Sequence, residues 1–174
     1  MTITPHALSV PVFTRGLNAL DAILAKAIDF CAEKSIDPAV LCATRLIPDM
    51  LPLVRQVQIG CDFAKNGTAR IAGLEAPKFE DSETTLVALR ERIAKTIAYL
   101  TSVEEAAINS APGRTVAFPI GPNRYQMEAV AYLLHMVTPN FYFHVTTAYD
   151  ILRNAGVSLG KRDFMGAVAG LTQV

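Results

Sequence analysis

Apolar residues recur along most of this chain at three- and four-residue steps, the period that lines one face of a helix. The first such run, Leu17, Leu20, Leu24, Ala27, Ile28 and Cys31, defines a helix over roughly Thr4 to Lys34. Pro11 falls near its start and either kinks it or marks its true first turn. After the turn signal Ser35-Ile36-Asp37-Pro38 comes a short helical piece around Ala39 to Thr44. Met50, Leu53, Val54, Val57, Cys61, Ala64 and Ile71 then form the stripe of a second helix, about Pro48 to Ile71. Pro48, Asp49 and Pro52 suit its first turn, and Gly73 is placed to stop it. A third helix starts at Ser82, where Asp81-Ser82 offers caps, and buries Leu86, Leu89, Ile93, Ile97 and Leu100. Arg90, Glu91, Arg92 and Lys95 are assigned mostly to its solvated side.

Between Glu104 and Tyr125 the pattern stops. Pro112, Gly113, Pro119, Gly121, Pro122 and Asn123 are too dense a set of breakers for a helix, although Thr115 to Phe118 reads as briefly extended. A connection this long inside a compact domain usually serves function or acts as a lid. The last helix covers about Gln126 to Asn154, with Val130, Leu134, Val137, Phe141, Val145, Ala148 and Leu152 facing inward and Gly156 at its end. Pro139 in its middle predicts a kink, or a fresh start with Thr138 as cap. The tail from Val157 to Val174 carries three glycines and is expected to pack as an irregular arm. The expected fold is all-α: one domain over residues 1–174, an antiparallel four-helix bundle with a long irregular connection between the third and fourth helices and a C-terminal arm.

Composition narrows the function classes. Apolar residues make up 51% of the chain, yet no apolar run approaches the roughly 20 residues that span a bilayer. Lys plus Arg and Asp plus Glu balance at 16 each, so no overall field draws the protein to nucleic acid or to anionic lipid. Cys31, Cys42 and Cys61 are odd in number and have no metal-ligand spacing, which fits reduced thiols. The segment MTITPHALSVPVF lacks the basic cluster and apolar core of a secretory signal, so a cytoplasmic location is expected.

Two stretches carry a family resemblance: Arg45-Leu46-Ile47-Pro48-Asp49-Met50-Leu51-Pro52-Leu53-Val54-Arg55-Gln56-Val57-Gln58, and the run from Pro139-Asn140-Phe141-Tyr142-Phe143-His144 through Leu152-Arg153. They resemble a bacterial domain-of-unknown-function family within the DinB/YfiT-like superfamily of helical bundles. The resemblance implies a down-up-up-down bundle, often dimeric, with an interhelical pocket where many relatives hold a divalent metal on three histidines. It also implies that some relatives are thiol-dependent transferases. The superfamily's His-x-x-x-His pair falls here on Asn140 and His144, and the third ligand, near Gln56 to Ile59, has no histidine.

The residues give their own picture of that spot. Asn140 and His144 lie four apart on one helix face, as do Arg45, Asp49, Pro52 and Gln56 on the second helix. If those lines face each other, His144, Asn140, Gln56, Asp49 and Arg45 surround one pocket. One imidazole, two amides and a carboxylate suit a divalent metal far less than three imidazoles, so no metal ligand, no cofactor and no catalytic residue is assigned. His144 reads either as a general base or as a core histidine bonded to Asn140, Gln56 or Asp49. Cys61 reads as core filler and His135 as structural or exposed. The run Phe141-Tyr142-Phe143 needs cover on its outer side, from the C-terminal arm or a second copy of the chain. Three functions follow: a small-molecule-binding bundle with a degenerate trihistidine site, a thiol-dependent transferase-type enzyme using His144 with or without a divalent metal, or an interaction protein acting through a homodimer.

Overall fold

The computed structural model describes residues 3–172. In chain order the elements are α1 (Val10–Lys34), α2 (Pro38–Ala43), α3 (Leu53–Ala72), α4 (Leu86–Ser102), α5 (Glu105–Asn109), β1 (Thr115–Ile120), β2 (Asn123–Glu128), α6 (Ala129–Tyr132), a π-helical turn (Leu133–Val137), α7 (Thr138–Asn154) and α8 (Lys161–Met165).

Proline sets where the first two long helices begin. Pro11 sits in the first turn of α1, where its missing N–H is no loss, so the helix starts at Val10 rather than near Thr4. Pro52 is the N-cap of α3, and it disfavours helical backbone at Leu51. The helix therefore begins at Leu53, not Pro48, and Arg45 and Asp49 lie outside it. Their expected alignment with Gln56 along one helix face does not exist. At α4 the cap is Thr85, whose hydroxyl accepts from the Ala88 N–H at 3.1 Å, in place of the expected Asp81-Ser82.

Phe13, Leu17, Leu20, Ile23 and Leu24 of α1, Leu53, Val57, Cys61, Ala64 and Ile71 of α3, Leu89, Ile93 and Leu100 of α4, and Phe141, Val145, Ala148, Ile151 and Leu152 of α7 share one buried core. The most extensive helix contact joins α3 to α7, while α4 packs on both α1 and α3. Close approach of α3 depends on Gly67, because a Cβ there would stand 2.4 Å from Val137 Cγ1.

The chain is mostly helical but not all-α, and the connection after α4 is not irregular. Its first part folds as α5, and its second as an antiparallel hairpin pairing Thr115 with Glu128 through Ile120 with Asn123. Gly121, at φ 57°, and Pro122 make the two-residue turn, with positive φ first and the fixed negative φ of proline second, as in a II′ turn. Val116 and Phe118 point inward on β1 while β2 is almost wholly exposed, which is why the second strand left no apolar signal. The hairpin base is tied down where Ala129 N–H donates to Arg114 O at 2.8 Å and Glu128 accepts from Gly113 N–H at 3.2 Å.

The last helix, expected over Gln126 to Asn154, starts at Ala129, since Gln126 to Glu128 belong to β2, and it is three pieces. Ala129–Tyr132 is α-helical, Leu133–Val137 is π, and α7 follows without a break in helical backbone, Pro139 lying in its first turn. The Thr138 hydroxyl does not cap; it is buried without a partner. The arm expected over Val157 to Val174 contains α8, and its last two residues lie outside the described ones. Lys26 pairs with Asp163 at 2.6 Å and Tyr149 meets Phe164 edge-on at 5.8 Å, so the arm covers part of α1 and α7. Phe141 turns inward onto Phe13, leaving Phe143 as the 56% exposed member of the aromatic run. Among the described residues no helix is long and apolar enough to cross a membrane.

Candidate functional site

His144 sits on α7 opposite Gly60 of α3, whose missing Cβ would stand 3.7 Å from the His144 Cβ. The imidazole is buried, and its Nδ1 lies 2.7 Å from Gln56 Oε1. Gln56 in turn donates from Nε2 to the Leu51 carbonyl at 2.9 Å. A carbonyl can only accept, so the Gln56 amide is oriented with its oxygen toward the ring and His144 must donate from Nδ1. Its Nε2 therefore carries the lone pair. Burial lowers the imidazole's pKa from 6.5 to about 4, keeping the ring neutral. Phe63 stacks on the ring at 5.9 Å and Phe143 meets it edge-on at 5.2 Å.

The other expected pocket residues go elsewhere. Asn140 turns back along its own helix and donates to Met136 O at 2.7 Å, beside the π turn, rather than to His144. Arg45 donates to the Met50 carbonyl, and Asp49 is exposed on the turn before α3. Of the five, the structure brings His144 and Gln56 together, places Asn140 one helical turn away, and leaves Arg45 and Asp49 outside. His135 is exposed, and His6 lies 3.8 Å from Glu105 near the start of the chain.

Asn140 instead helps line a cleft of about 350 Å³ between α3, the α6–α7 segment and the hairpin. Asp62, Asn66 and Arg70 enter it from α3 at four-residue spacing, one line along the helix. Phe63 and Phe118 supply aromatic walls, and Phe118 packs against Tyr132 at 4.6 Å. Arg70 donates to the Tyr132 hydroxyl at 2.8 Å. The π turn adjoins this cleft through Met136, and such insertions often occur where a helix shapes a functional site. Sequence reading missed these residues: the line Asp62-Asn66-Arg70 was visible as spacing, but its facing wall is built from residues about fifty to seventy positions later. A wider groove of about 650 Å³ runs between α1 and the C-terminal segment. Asp163 on its rim is already engaged by Lys26.

Behind the cleft lies a second unexpected feature. Arg92, assigned from sequence to the solvated side of α4, is 1% exposed. Its guanidinium meets Asp62 and Asp81 at 3.0 Å each and Glu83 at 3.1 Å, and donates to Glu80 O at 3.1 Å. Lys65, also buried, pairs with Asp62 at 3.1 Å and stands 4.2 Å over the Phe79 ring. Gln58 donates to Glu83 at 2.8 Å, and Arg55 reaches Gln58 and Asp81. Desolvation alone would raise the carboxyl of Asp81, but hydrogen bonding and charge from Arg55 and Arg92 outweigh it and hold it below its ordinary range. Glu83 is lowered likewise: its own burial is overcome by Gln58, a backbone N–H and Arg92. Cys61 lies next to this network, and burial pushes its thiol up to about 12 against the opposing pull of the Thr96 hydroxyl and Arg92. It is no nucleophile at neutral pH.

The divalent metal implied by the superfamily does not fit these residues. His144 is the lone imidazole, its Nδ1 is occupied by Gln56, and the amide of Asn140 donates to a carbonyl instead of presenting a ligand atom. Among the described residues no three His, Cys, Asp or Glu side chains are grouped to hold a metal ion.

A largely helical protein whose last long helix is interrupted by a π turn, with a hairpin over a polar cleft and one neutral imidazole beside it, is the class defined so far. The chain belongs to the family called domain of unknown function DUF1993, which matches residues 6–165. It is similar to a crystal structure described as a DinB family member protein from Shewanella denitrificans, at 40% identity over 97% of this chain and 95% of that one, with a TM-score of 0.86. The DinB-like resemblance carried by the Arg45 to Gln58 and Pro139 to Arg153 stretches is thus shown. No curated protein matches.

Proposed function

We propose that this protein is a DinB-type antiparallel four-helix bundle that binds a small molecule in the cleft between α3 and the α6–α7 segment and works without the trihistidine metal. The observation that carries the reading is the convergence of Asp62, Asn66, Arg70 and Asn140 with two aromatic rings in one concave site, a mixture typical of ligand pockets. His144 is placed as a positioning element: hydrogen-bonded to Gln56 and stacked on Phe63, it fixes one aromatic wall. The three free, buried cysteines suit a reducing, cytoplasmic setting.

A fragment screen by ligand-observed NMR tests this directly. Several fragments are expected to bind, and to be lost when Asn66→Phe fills the cleft; fragments that survive the filling, or a screen without hits, would overturn the reading. Elemental analysis of protein purified without chelator is expected to find no stoichiometric metal, and one tightly held zinc or nickel per chain would reverse the second half of the claim.

A second reading, assembly as a homodimer, is favoured by one observation. Phe143 and Leu51 flank the His144–Gln56 pair while remaining 56% and 43% exposed. Light scattering at micromolar concentration is expected to give a dimer under this reading, and a monomer excludes it.

A further inference from the structure

We infer that the cleft selects an anionic ligand with a flat apolar body, such as an aromatic carboxylate. This inference rests on the cleft being the ligand site. The charge pattern around it carries the selection. Arg55, Lys65 and Arg92 face Asp62, Asp81 and Glu83, three cations against three carboxylates, in one connected network. Asp62, which also lines the cleft, spends its charge there: its Oδ1 receives both Lys65 and Arg92. Arg70 is outside that balance. Its guanidinium is half-buried, is steered by the Tyr132 hydroxyl at 2.8 Å, and pairs with no carboxylate among the described residues. One cation without a counter-charge, at a wall of limited solvent access, favours an anion there.

The remaining lining sets the rest of the ligand. Asn66 adds an amide able to donate to or accept from a bound oxygen, while Phe63, Phe118 and Ile59 leave room for an apolar, planar group. A space of about 350 Å³ is at the small end for ligand sites, which fits a ligand of one or two fused rings rather than a nucleotide or an acyl chain. Phe118 and its neighbours Pro119 and Ile120 come from the hairpin, so the ligand would lie beneath β1 and shield the ion pair from water.

Three probes of one shape test the inference: 2-naphthoate, 2-naphthamide and 2-naphthylmethylamine, titrated into the full chain by calorimetry or ligand-observed NMR. The acid is expected to bind more tightly than the amide and the amine. Arg70→Gln should weaken the acid by about 10- to 100-fold, the range for losing a hydrogen bond to a charged group, and leave the amide little changed. Because that substitution also removes the bond to Tyr132, Asn66→Asp is the companion variant: it keeps that bond, sets a carboxylate in the cleft, and should weaken the acid about tenfold while strengthening the amine. Equal binding of acid and amide, a preference for the amine, or indifference to both substitutions overturns the anionic class. Those outcomes leave the cleft as a ligand site. Binding of none of the three, with the fragment screen also empty, overturns both.

Discussion

Helix α3 is held on two sides by opposite means. Toward α7 and the π turn before it, α3 presents Gly60 and Gly67, lets the backbones approach, and buries one neutral imidazole against one amide. Toward α4 and the 73–85 connection it presents Gln58, Asp62 and Lys65, and buries a charged network around Arg92. The first seam is specified by shape, and it is closed to added volume where it is tightest, at Gly67. The second is specified by charge, so it tolerates no missing partner. Breaking each in its own currency shows whether the division is real.

Removing the guanidinium should have the largest effect. Arg92→Ala leaves Asp62, Asp81 and Glu83 facing one another with their main counter-charge gone, and a buried ion pair broken from one side typically costs ~3–5 kcal/mol. Chemical denaturation is expected to show a loss of that size. Adding Asp62→Asn, Asp81→Asn and Glu83→Gln to Arg92→Met should recover most of it, since burial of matched neutral groups avoids the desolvation of charge. If Arg92→Ala costs no more than an exposed substitution, the network is a surface decoration and the comparison fails.

Acid comes next, and it separates the seams by pH. His144 has a folded pKa of about 4 against an ordinary 6.5, so below 6.5 the unfolded chain takes up a proton that the folded chain refuses. Stability from this group is complete above pH 6.5 and is lost progressively as pH falls to about 4, a change of about 3 kcal/mol. Asp81 and Glu83 are lowered in the folded state, so their contribution is present above their ordinary values of 3.8 and 4.5 and disappears at lower pH still. Stability measured from pH 7.5 to 5 should thus fall in the native protein and stay nearly flat in His144→Gln. An unchanged slope in that variant would show that the imidazole is open to water and that the α3–α7 seam is not dry.

These two seams were unequally legible in the sequence. The apolar stripes of α1, α3, α4 and α7 follow from helical spacing alone, and counting along them puts His144 and Gln56 on facing helices. Arg92 was hidden because its neighbours Arg90, Glu91 and Lys95 read as a solvated face, and two of the carboxylates that bury it, Asp81 and Glu83, come from a connection with no periodic signal. Asp49 and Arg45 were misplaced by one proline, since Pro52 ends what spacing alone would continue. Sequence pattern shows β1 only as a brief extended stretch over Thr115 to Phe118 and hides β2, because β2 is almost wholly exposed and Pro119 and Gly121 look like breakers, although a two-stranded ribbon accepts proline at its edge. The cleft escapes sequence reading for the same reason: one of its walls, Phe118 to Ile120, is hairpin.

The smallest effects give the sharpest contrast, because two glycines on one face of α3 should respond with opposite signs. A Cβ at position 67 would lie 2.4 Å from Val137 Cγ1, so Gly67→Ala forces the π turn outward and should cost ~1–3 kcal/mol, more than the helix propensity it gains. Val137→Ala in the same chain should return much of that loss, a coupling that a double-mutant cycle reads directly. At position 60 the same Cβ would meet His144 Cβ and Val145 Cγ2 at 3.7 Å, ordinary van der Waals contact. Gly60→Ala should therefore stabilise the protein by ~0.5–1 kcal/mol through helix propensity. It should also leave the acid response of His144 in place, since the Gln56 hydrogen bond need not move. A loss at position 60 as large as at 67 would mean that the whole seam is closed to added volume, with no local room beside the imidazole.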